Sequence, residues 1–430
     1  MRPPKSIAVQ LGTIAVLLFS MGAFAAFEGL NQPGTNSYEV LVGDSRYEFA
    51  WIGVYIVFAF AFIPCRRTLL QAALAHKWLL ALVGWTLLST LWSMDPFLTL
   101  RRASALACTT ALGLYLGLRF TQRQLLHLLA VALALATVVS AIVAVGLPSV
   151  GVMQDLYGGA WRGSFAHKNT LAMAAVLSLI TFGSIYVAER NRRMLCLLAM
   201  AAVVPELFLS KSASALVDVI IVAAIALMLW MLRSLSRSLL VPVAYWAGGF
   251  AVLLVGWLIA NSTRVFALLG RDPTLSGRTD LWAFAADAVR QRPWLGYGYS
   301  AFWVGPGGDA IRAAVGWDAP HSHNGLLDLS LDIGLLGVVL FLICLLLCFR
   351  CALLHALRSS DPYRLWPMMY LTVFTVHNLT ETTTMTRNSL YWILFVAVNA
   401  LLWREDEVAL VSEARIPAPS AASLAVPSAL

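Results

Sequence analysis

"HSHNGLLDLSLDIGLLG", residues 321–337, marks the point where a polar segment becomes one of the most apolar runs of the chain. Two histidines and an asparagine (His321, His323 and Asn324) stand before the run, and Asp328 and Asp332 lie inside it. The run predicts a membrane helix. Carboxylates within membrane helices face the interior of the helix bundle and are often functional. The boundary at residues 321–324 is therefore a candidate site.

The composition predicts that most of the chain lies in lipid. Of its 430 residues, 60% are hydrophobic and 12% are charged, with a mean hydropathy of +0.77, whereas soluble domains carry about 25% charged residues. A membrane helix needs about 20 apolar residues. The sequence therefore predicts an all-α, polytopic membrane protein with twelve apolar runs, at 8–27, 48–65, 77–93, 103–118, 125–147, 169–188, 194–210, 213–232, 239–260, 324–349, 365–379 and 388–403.

The runs divide the chain into four parts. Helices one to nine with short loops occupy 1–260, a long outer loop follows at 261–323, and helices ten to twelve occupy 324–403. The Pro/Ala/Ser-rich tail, 404–430, is predicted to be disordered. Within the long loop, "TDLWAFAADAVRQRP" predicts an amphipathic helix that is capped by Thr279 and stopped by Pro293, with its apolar stripe on the bundle or on the membrane surface.

Lysine and arginine in alternate short loops set the orientation, because positive charge favours the cytoplasmic side. They place both termini in the cytoplasm. The first run, which follows "MRPPKS", also fits a signal peptide with Ala23–Ala25 as the cleavage site, but its long apolar core favours an uncleaved helix. The six cysteines lie in or beside predicted helices, so neither a disulfide framework nor a cysteine metal site is expected.

A minority of the cations fall on the predicted outer side, against that rule. Arg162, Lys168, Lys211 and Arg387 stand in short connections beside helix ends. Arginine binds phosphate through its bidentate fork, so these positions predict recruitment of an anionic ligand such as a lipid phosphate or diphosphate. The simpler interpretations are a solvated loop face, a Lys211 that reaches the interface, and an Asn169 or Thr170 that caps the next helix.

The predicted outer loops contain three imidazoles, His167, His321 and His323. Histidine accepts or donates a proton near neutral pH. No metal and no cofactor is expected, because the outer loops lack cysteine, H-E-x-x-H and D-x-D, and no G-x-S-x-G elbow supports a hydrolase. The outer histidines and arginines suit the transfer of a group from a phosphate-activated donor to a hydroxyl. In such a reaction a base takes the proton of the hydroxyl, while arginines stabilise the departing diphosphate. Asp328 and Asp332 are assigned a supporting role.

Several motifs together resemble the bacterial O-antigen ligase and polymerase superfamily. The pattern His323, Asn324, nine residues, Gly334, two residues, Gly337 is similar to its signature. "GSFAHKNTLA", "SKSASALV", "SGRTDLWAFA" with "RPWLGYGYSAF", and "WSMDPFLTLRRA" are similar to further shared segments and occur in the same order over residues 92–337. The likeness is greatest to the O-antigen ligases.

The resemblance implies a metal-independent, inverting glycosyltransferase of twelve helices in the bacterial inner membrane, with its active site facing the periplasm. Its donor would be undecaprenyl diphosphate-linked O-antigen and its acceptor a sugar hydroxyl of lipid A–core, among membrane lipids and without nucleic acid. His323 would be the catalytic base. The implied diphosphate-binding residues are Arg162, Lys211, Arg278, Arg102 and His167, and the supporting residues are Asn324, His321, Lys168, Asn169 and Glu381. Lys211 departs from the arginine that is more usual there.

Three other functions stay open at this point. O-antigen polymerase and protein O-oligosaccharyltransferase belong to the same superfamily, although the chain lacks a large C-terminal outer extension. A transporter or flippase of lipid-linked glycans also fits twelve helices. It would place polar residues at the bilayer midplane, whereas most polar groups here collect at the outer edge.

Overall fold

The computed structural model describes residues 6–28, 45–154, 157–234, 239 and 277–414. The predicted ninth helix at 239–260, the loop segment 261–276 and the tail 415–430 lie outside these residues, apart from residue 239. Across the described ranges the chain forms helices and no strand. The prediction of an all-α membrane protein is confirmed.

The predicted apolar runs that lie in the described ranges all fall on helices. The helices of ten or more residues in those ranges are α1 (Ile7–Ser20), α2 (Ser45–Phe62), α3 (Arg66–Ala75), α4 (Lys77–Leu88), α5 (Pro96–Arg119), α6 (Gln122–Gly146), α7 (Lys168–Ala188), α8 (Arg193–Leu209), α9 (Ala213–Ser234), α10 (Arg278–Gln291), α11 (Pro306–Val315), α12 (Gly325–Arg358), α13 (Trp366–His377) and α14 (Leu390–Ala414). Helix α14 continues past residue 403, so residues 404–414, which we expected in a disordered tail, are helical.

Five helical segments of the described part are long and apolar enough to cross a membrane. They are Glu48–Ala75, Gln122–Gly146, Lys168–Ala188, Ala213–Arg233 and Gly325–Arg358. Shorter apolar helices lie at Ile7–Ser20, Lys77–Trp92 and Leu390–Arg404. The chain is therefore a multi-pass membrane protein, while the number of twelve helices stays a prediction.

The bundle packs through large buried side chains and a few small ones. Trp366, Phe374 and Phe395 lie in one continuous core that includes residues of α5, α6, α7, α12, α13 and α14. Helix α5 lies so close to α14 that a Cβ at Gly117 would meet the Ala397 carbonyl oxygen at 2.4 Å. Small residues at such contacts let helix backbones approach closely within a membrane.

Helix α12 is broken at Gly334, a residue of the signature motif. Gly334 has φ 69°, and an added Cβ would lie 2.2 Å from the Trp294 carbonyl oxygen. The backbone N–H of Leu335 instead donates to the Pro293 carbonyl at 2.8 Å, and the N–H of Tyr297 donates to Leu331 at 2.7 Å. Only glycine tolerates this conformation and this close approach, so Gly334 fixes the long loop against the bundle.

The amphipathic helix of the long loop rests on the bundle. Leu281 and Ala285 of α10 are fully buried in a cluster that includes Leu331 of α12, whereas Phe284 of the same helix is exposed. The predicted cap at Thr279 is wrong. The helix begins at Arg278 after Gly277, whose φ of 83° turns the chain into the first turn without a side-chain cap.

Candidate active site

Four separated segments meet at the carboxylate of Glu381, in the connection after α13. Its Oε1 accepts hydrogen bonds from Arg278 Nη2 at 2.8 Å and from Asn169 Nδ2 at 2.6 Å. Its Oε2 lies 2.9 Å from His323 Nδ1. Arg278 opens α10, Asn169 lies in the first turn of α7, and His323 directly precedes the cap of α12. We call these four residues the Glu381 cluster.

The local backbone presents Asn169 and Glu381 to each other. The N-cap of α7 is His167, whose Nδ1 accepts from the Asn169 N–H at 3.2 Å, so the alternative cap at Asn169 is wrong. The Asn169 amide group is thereby available to Glu381. The Glu381 N–H donates to the His377 carbonyl at 2.9 Å, which continues the end of α13.

The backbone of His323 adopts a left-handed conformation with φ 54°. Non-glycine residues hold such a conformation at a cost of order 1–3 kcal/mol and only where surrounding contacts impose it. Here the His323 N–H donates to His321 Nδ1 at 3.0 Å, and Asn324 caps α12 by accepting from Leu326 and Leu327 at 3.1 Å. The ring of Trp317 lies 5.9 Å from that of His323.

Glu381 also selects the working nitrogen of His323. A carboxylate at Nδ1 favours the tautomer in which Nδ1 carries the proton and Nε2 accepts one. Burial alone would raise the pKa of Glu381, but the charge and hydrogen bond of His323 and the charge of Arg278 outweigh it and hold that pKa well below its usual 4.5. The cluster can therefore keep Glu381 ionised and stabilise a positive charge on His323.

His321 differs from its neighbour. Its ring centroid lies 4.2 Å from that of His323. Burial lowers the pKa of His321 well below its usual 6.5, and the positive charges of His323, Arg278 and His167 lower it further against the raising effect of Glu381. His321 is consequently neutral at physiological pH, and it packs against the imidazole that can take up a proton.

Asp328 fixes the loop that carries both histidines. Its Oδ1 accepts from the Ser322 N–H at 3.0 Å and from Trp303 Nε1 at 2.8 Å, and Thr382 Oγ1 donates to its Oδ2. The indole of Trp282 adds a bond to the Ser322 carbonyl at 2.8 Å. This arrangement explains a carboxylate in the first turn of a membrane helix, and it gives Asp328 a supporting position.

The other predicted cations form two groups: Lys168 with Lys211, and Arg162 in the turn that precedes α7. Lys168 Nζ donates to the Lys211 carbonyl at 3.3 Å and lies over the Tyr157 ring at 4.5 Å, while Lys211 Nζ donates to the Gly158 carbonyl at 3.2 Å. Arg162 Nε donates to the Val150 carbonyl at 2.6 Å. The structure thus joins Lys168, Lys211 and His167 to the cluster through Asn169 and holds Arg162 in the preceding turn.

Arg102 does not contact the cluster. It is buried at the start of α5, and its Nη1 donates to the Ser300 carbonyl at 2.5 Å. It lines a separate cavity together with His321, Asp332 and Arg387. The structure therefore separates Arg102 from the other predicted diphosphate-binding residues.

Sequence reasoning missed two residues that organise the site. The carbonyl of Asn378 accepts from the Gly325 N–H at 2.8 Å, and its side-chain oxygen accepts from Thr383 and Thr384 at 2.8 and 2.9 Å. Trp282 holds the loop that carries His321 and His323 through its bond to the Ser322 carbonyl. Both residues carry polar groups at the edges of apolar stretches. That position was the only signal in the sequence that could have identified them as part of the site.

The arrangement has one more chemical possibility, a metal ion. His321, His323 and Glu381 each offer a ligand atom, and these atoms lie within 4.8 Å of one another. Oxygen Oε1 of Glu381, however, already accepts from Arg278 and Asn169, and Oε2 is bound to His323. The donor set fits an imidazole that is paired with a carboxylate better than it fits a cation beside an arginine.

These features define a multi-pass, all-α membrane protein whose loops gather histidine, carboxylate and several cations. Residues 206–342, which include Lys211, Arg278, His321 and His323, match the family model of the O-Antigen ligase domain. This match confirms the resemblance to the O-antigen ligase superfamily that the motifs indicated.

Three relatives are similar to parts of this chain. The chain is 27% identical over 299 residues to the exopolysaccharide production protein ExoQ of Rhizobium meliloti, covering 66% of each chain. It is 24% identical over 230 residues to a ComP-specific O-oligosaccharyltransferase of Acinetobacter baylyi, covering 52% of this chain and 41% of that one. A putative polysaccharide ligase of Rickettsia prowazekii is 35% identical over 79 residues, which are 17% of this chain and 20% of that one. The matched part spans less than two thirds of the length of each relative.

Proposed function

We propose that the protein is a glycosyltransferase that moves a glycan from a polyprenyl diphosphate to a hydroxyl group. The observation that carries the proposal is the Glu381 cluster, in which a buried carboxylate holds the Nδ1 side of His323 and leaves Nε2 to accept a proton. Relatives named for polysaccharide ligation, exopolysaccharide production and oligosaccharide transfer support the same class of reaction.

The reaction is a direct displacement. His323 Nε2 takes the proton of the acceptor hydroxyl, and the oxygen forms a bond to the anomeric carbon of the donor. The bond between that carbon and the diphosphate oxygen breaks, and its electron pair leaves with the diphosphate. Attack opposite the leaving group inverts the anomeric carbon, while Glu381 stabilises the histidinium that forms.

Cations near the cluster receive the charge of the diphosphate. Arg278 keeps further N–H groups beyond those bonded to Glu381 and to the Thr380 carbonyl, because a guanidinium carries five. Lys211, Arg162 and His167 are the remaining diphosphate-binding candidates. Lys168 and Asn169 connect them to the catalytic histidine, and His321 and Asn324 hold its backbone.

The specific activity that we propose is O-antigen ligation. The donor is undecaprenyl diphosphate-linked O-antigen and the acceptor is lipid A–core, at the periplasmic face of the inner membrane, with both termini in the cytoplasm. A second candidate is the joining of one lipid-linked glycan to another, as in a polymerase, which the long match to an exopolysaccharide production protein favours.

Purified protein in lipid nanodiscs tests the proposal directly. It is given undecaprenyl diphosphate-linked glycan with lipid A–core, with and without EDTA, and the products are analysed by mass spectrometry. Glycosylated lipid A–core establishes the ligase, and longer lipid-linked chains alone establish the polymerase. Movement of the donor across the bilayer without any new glycosidic bond contradicts the proposal and supports a flippase. Loss of transfer in EDTA that a divalent ion restores contradicts the metal-free step.

A further inference from the structure

The cavity that Arg102 lines, of about 120 Å³, opens beside the loop that carries His321 and His323. It lies between the start of α5, the turn at 299–304, the first turns of α12 and the loop at 382–387. Its polar lining includes Arg102, Ser300, Trp303, His321, Asp332 and Arg387. The displacement step described above uses only His321 among these residues, as a neighbour of His323.

Arg102 is a buried arginine on the wall of this cavity. The residue is 5% exposed, and its Nε has no hydrogen-bond partner among the residues that the structure describes. Arg387 lies close enough for the two like charges to repel each other. A guanidinium carries five N–H donors, and the bonds to Ser300 use only Nη1, so Arg102 keeps donors for an acceptor atom of a ligand.

The lining mixes donors with acceptors. Asp332 lines the cavity together with both arginines, and Asp328 stands beside it with its bonds to Trp303 and Thr382. The hydroxyl-bearing residues Thr382, Thr384 and Thr386 complete one wall. A simple cation would meet two guanidiniums here, and the carboxyl groups of Asp328 and Asp332 place oxygen acceptors beside those donors. Neutral hydroxyl groups both donate and accept, and they can therefore satisfy both kinds of residue.

We propose that this cavity is a subsite for one uncharged sugar ring of the acceptor glycan, held by Arg102, Arg387 and Asp332 next to the catalytic histidine. The inference rests on the proposed glycosyl transfer. The acceptor is favoured over the donor because His321, whose ring lies against His323, lines the cavity, whereas Arg278, Asn169 and Lys211 do not. The volume is below the ~300–1,000 Å³ of sites for whole drug-sized ligands, which fits a single ring.

Binding of simple sugars tests the subsite without turnover. Methyl glycosides of glucose, galactose, mannose and N-acetylglucosamine are titrated against the purified protein by saturation-transfer NMR, beside glucuronate and glucose 6-phosphate. We expect at least one neutral glycoside to bind more tightly than both acidic sugars. Failure of all four neutral glycosides to bind, or tighter binding of an acidic sugar, overturns the subsite.

Variants locate the binding. Arg387→Gln and Arg102→Gln should each weaken the glycoside by about tenfold, as expected from one hydrogen bond to a charged group. Arg101→Gln is the matched control, because Arg101 neighbours Arg102 on α5 but is half-exposed and pairs with Glu48. It should change binding less than about twofold. If Arg102→Gln fails to fold, Arg387→Gln decides, and unchanged binding in Arg387→Gln overturns the subsite.

A transfer assay separates this inference from the proposed function. With active protein, Arg387→Gln should raise the KM for the acceptor and leave the KM for the donor unchanged. A wild type that binds glycosides and never transfers them refutes the transferase alone. A wild type that transfers, with an unchanged acceptor KM in Arg387→Gln, refutes the subsite alone.

Discussion

Each end of the helix bundle buries one glutamate among cations and a histidine. At one end, Glu381 binds Arg278, His323 and Asn169. At the other end, Glu189 binds Arg123 at 2.8 Å, Arg192 at 2.9 Å and the hydroxyl of Tyr363 at 2.5 Å, and His127 Nε2 lies 3.0 Å from it without a hydrogen bond. The residue types are nearly the same, yet we assign catalysis to only one of the two ends.

The difference lies in the backbone and in the neighbours. Glu189 ends α7 and joins it to α6 and to the turn before α13, so its bonds tie helix ends together. His323 instead holds a left-handed backbone conformation and packs against a second histidine. A cavity also opens beside Glu189, so a cavity alone does not mark the site. A strained backbone that is maintained by surrounding bonds is the more selective sign of function.

The largest effect is expected from the two histidines. His323→Ala should lower kcat about 10²–10⁴-fold, because it removes the general base, while His127→Ala at the opposite end should leave transfer within a few-fold of wild type. The in vitro transfer assay measures both, and thermal unfolding verifies that both variants fold. Equal losses of transfer in the two variants would show that His323 has no catalytic role that His127 lacks.

The two glutamates give the next effect. Glu381→Gln should reduce transfer about 10–100-fold, which is the loss of one bond between charged groups at the base. Glu189→Gln should lower the unfolding temperature and leave transfer in the folded fraction unchanged. A Glu381→Gln variant with wild-type turnover would remove Glu381 from the mechanism.

Substitution of Arg278 and substitution of Arg123 should differ less strongly in their effects on transfer. Arg278→Lys keeps the charge and loses the fork that reaches both Glu381 and the Thr380 carbonyl, so we expect the KM for the donor to rise about tenfold. Arg123→Lys is the matched change at an exposed position and should leave that KM unchanged. An unaltered donor KM in Arg278→Lys would exclude Arg278 from donor binding.

The smallest effect concerns pH and stability. Because the pKa of Glu381 in the folded protein lies well below 4.5, the unfolded chain takes up the proton first as the pH falls. The stabilisation from this carboxylate is therefore complete above its usual pKa and is lost as the pH falls through the lowered value. Unfolding temperatures of the wild type and of Glu381→Gln should differ most above pH 4.5 and should converge below it. A difference that grows towards acid would contradict the lowered pKa.

Helix positions were predictable because an apolar run of membrane length is compatible with few structures other than a helix. The superfamily motifs also pointed to His323, Arg278 and Lys211, whose positions follow from short local segments. Local pattern failed at the caps, where His167 and Gly277 took the places expected for Asn169 and Thr279. The hydrogen-bond partners depend on which side chain completes each turn, and spacing in the sequence carries little of that information.

The centre of the site was the least predictable part. Glu381 had no spacing argument, because its partners lie 58, 103 and 212 residues away in the sequence. Arg102 looked like a further diphosphate ligand from its charge and its motif. Burial at the start of α5 placed it in the neighbouring cavity instead. Contacts between distant segments follow from the packing of the bundle, which no short motif encodes.

A double-mutant cycle on kcat with His323→Gln and Glu381→Gln tests the central claim most directly. If Glu381 affects kcat only through His323, and not through Arg278 or Asn169, the double variant should be no slower than His323→Gln alone. Losses that multiply in the double variant, as two independent contributions would, contradict the account.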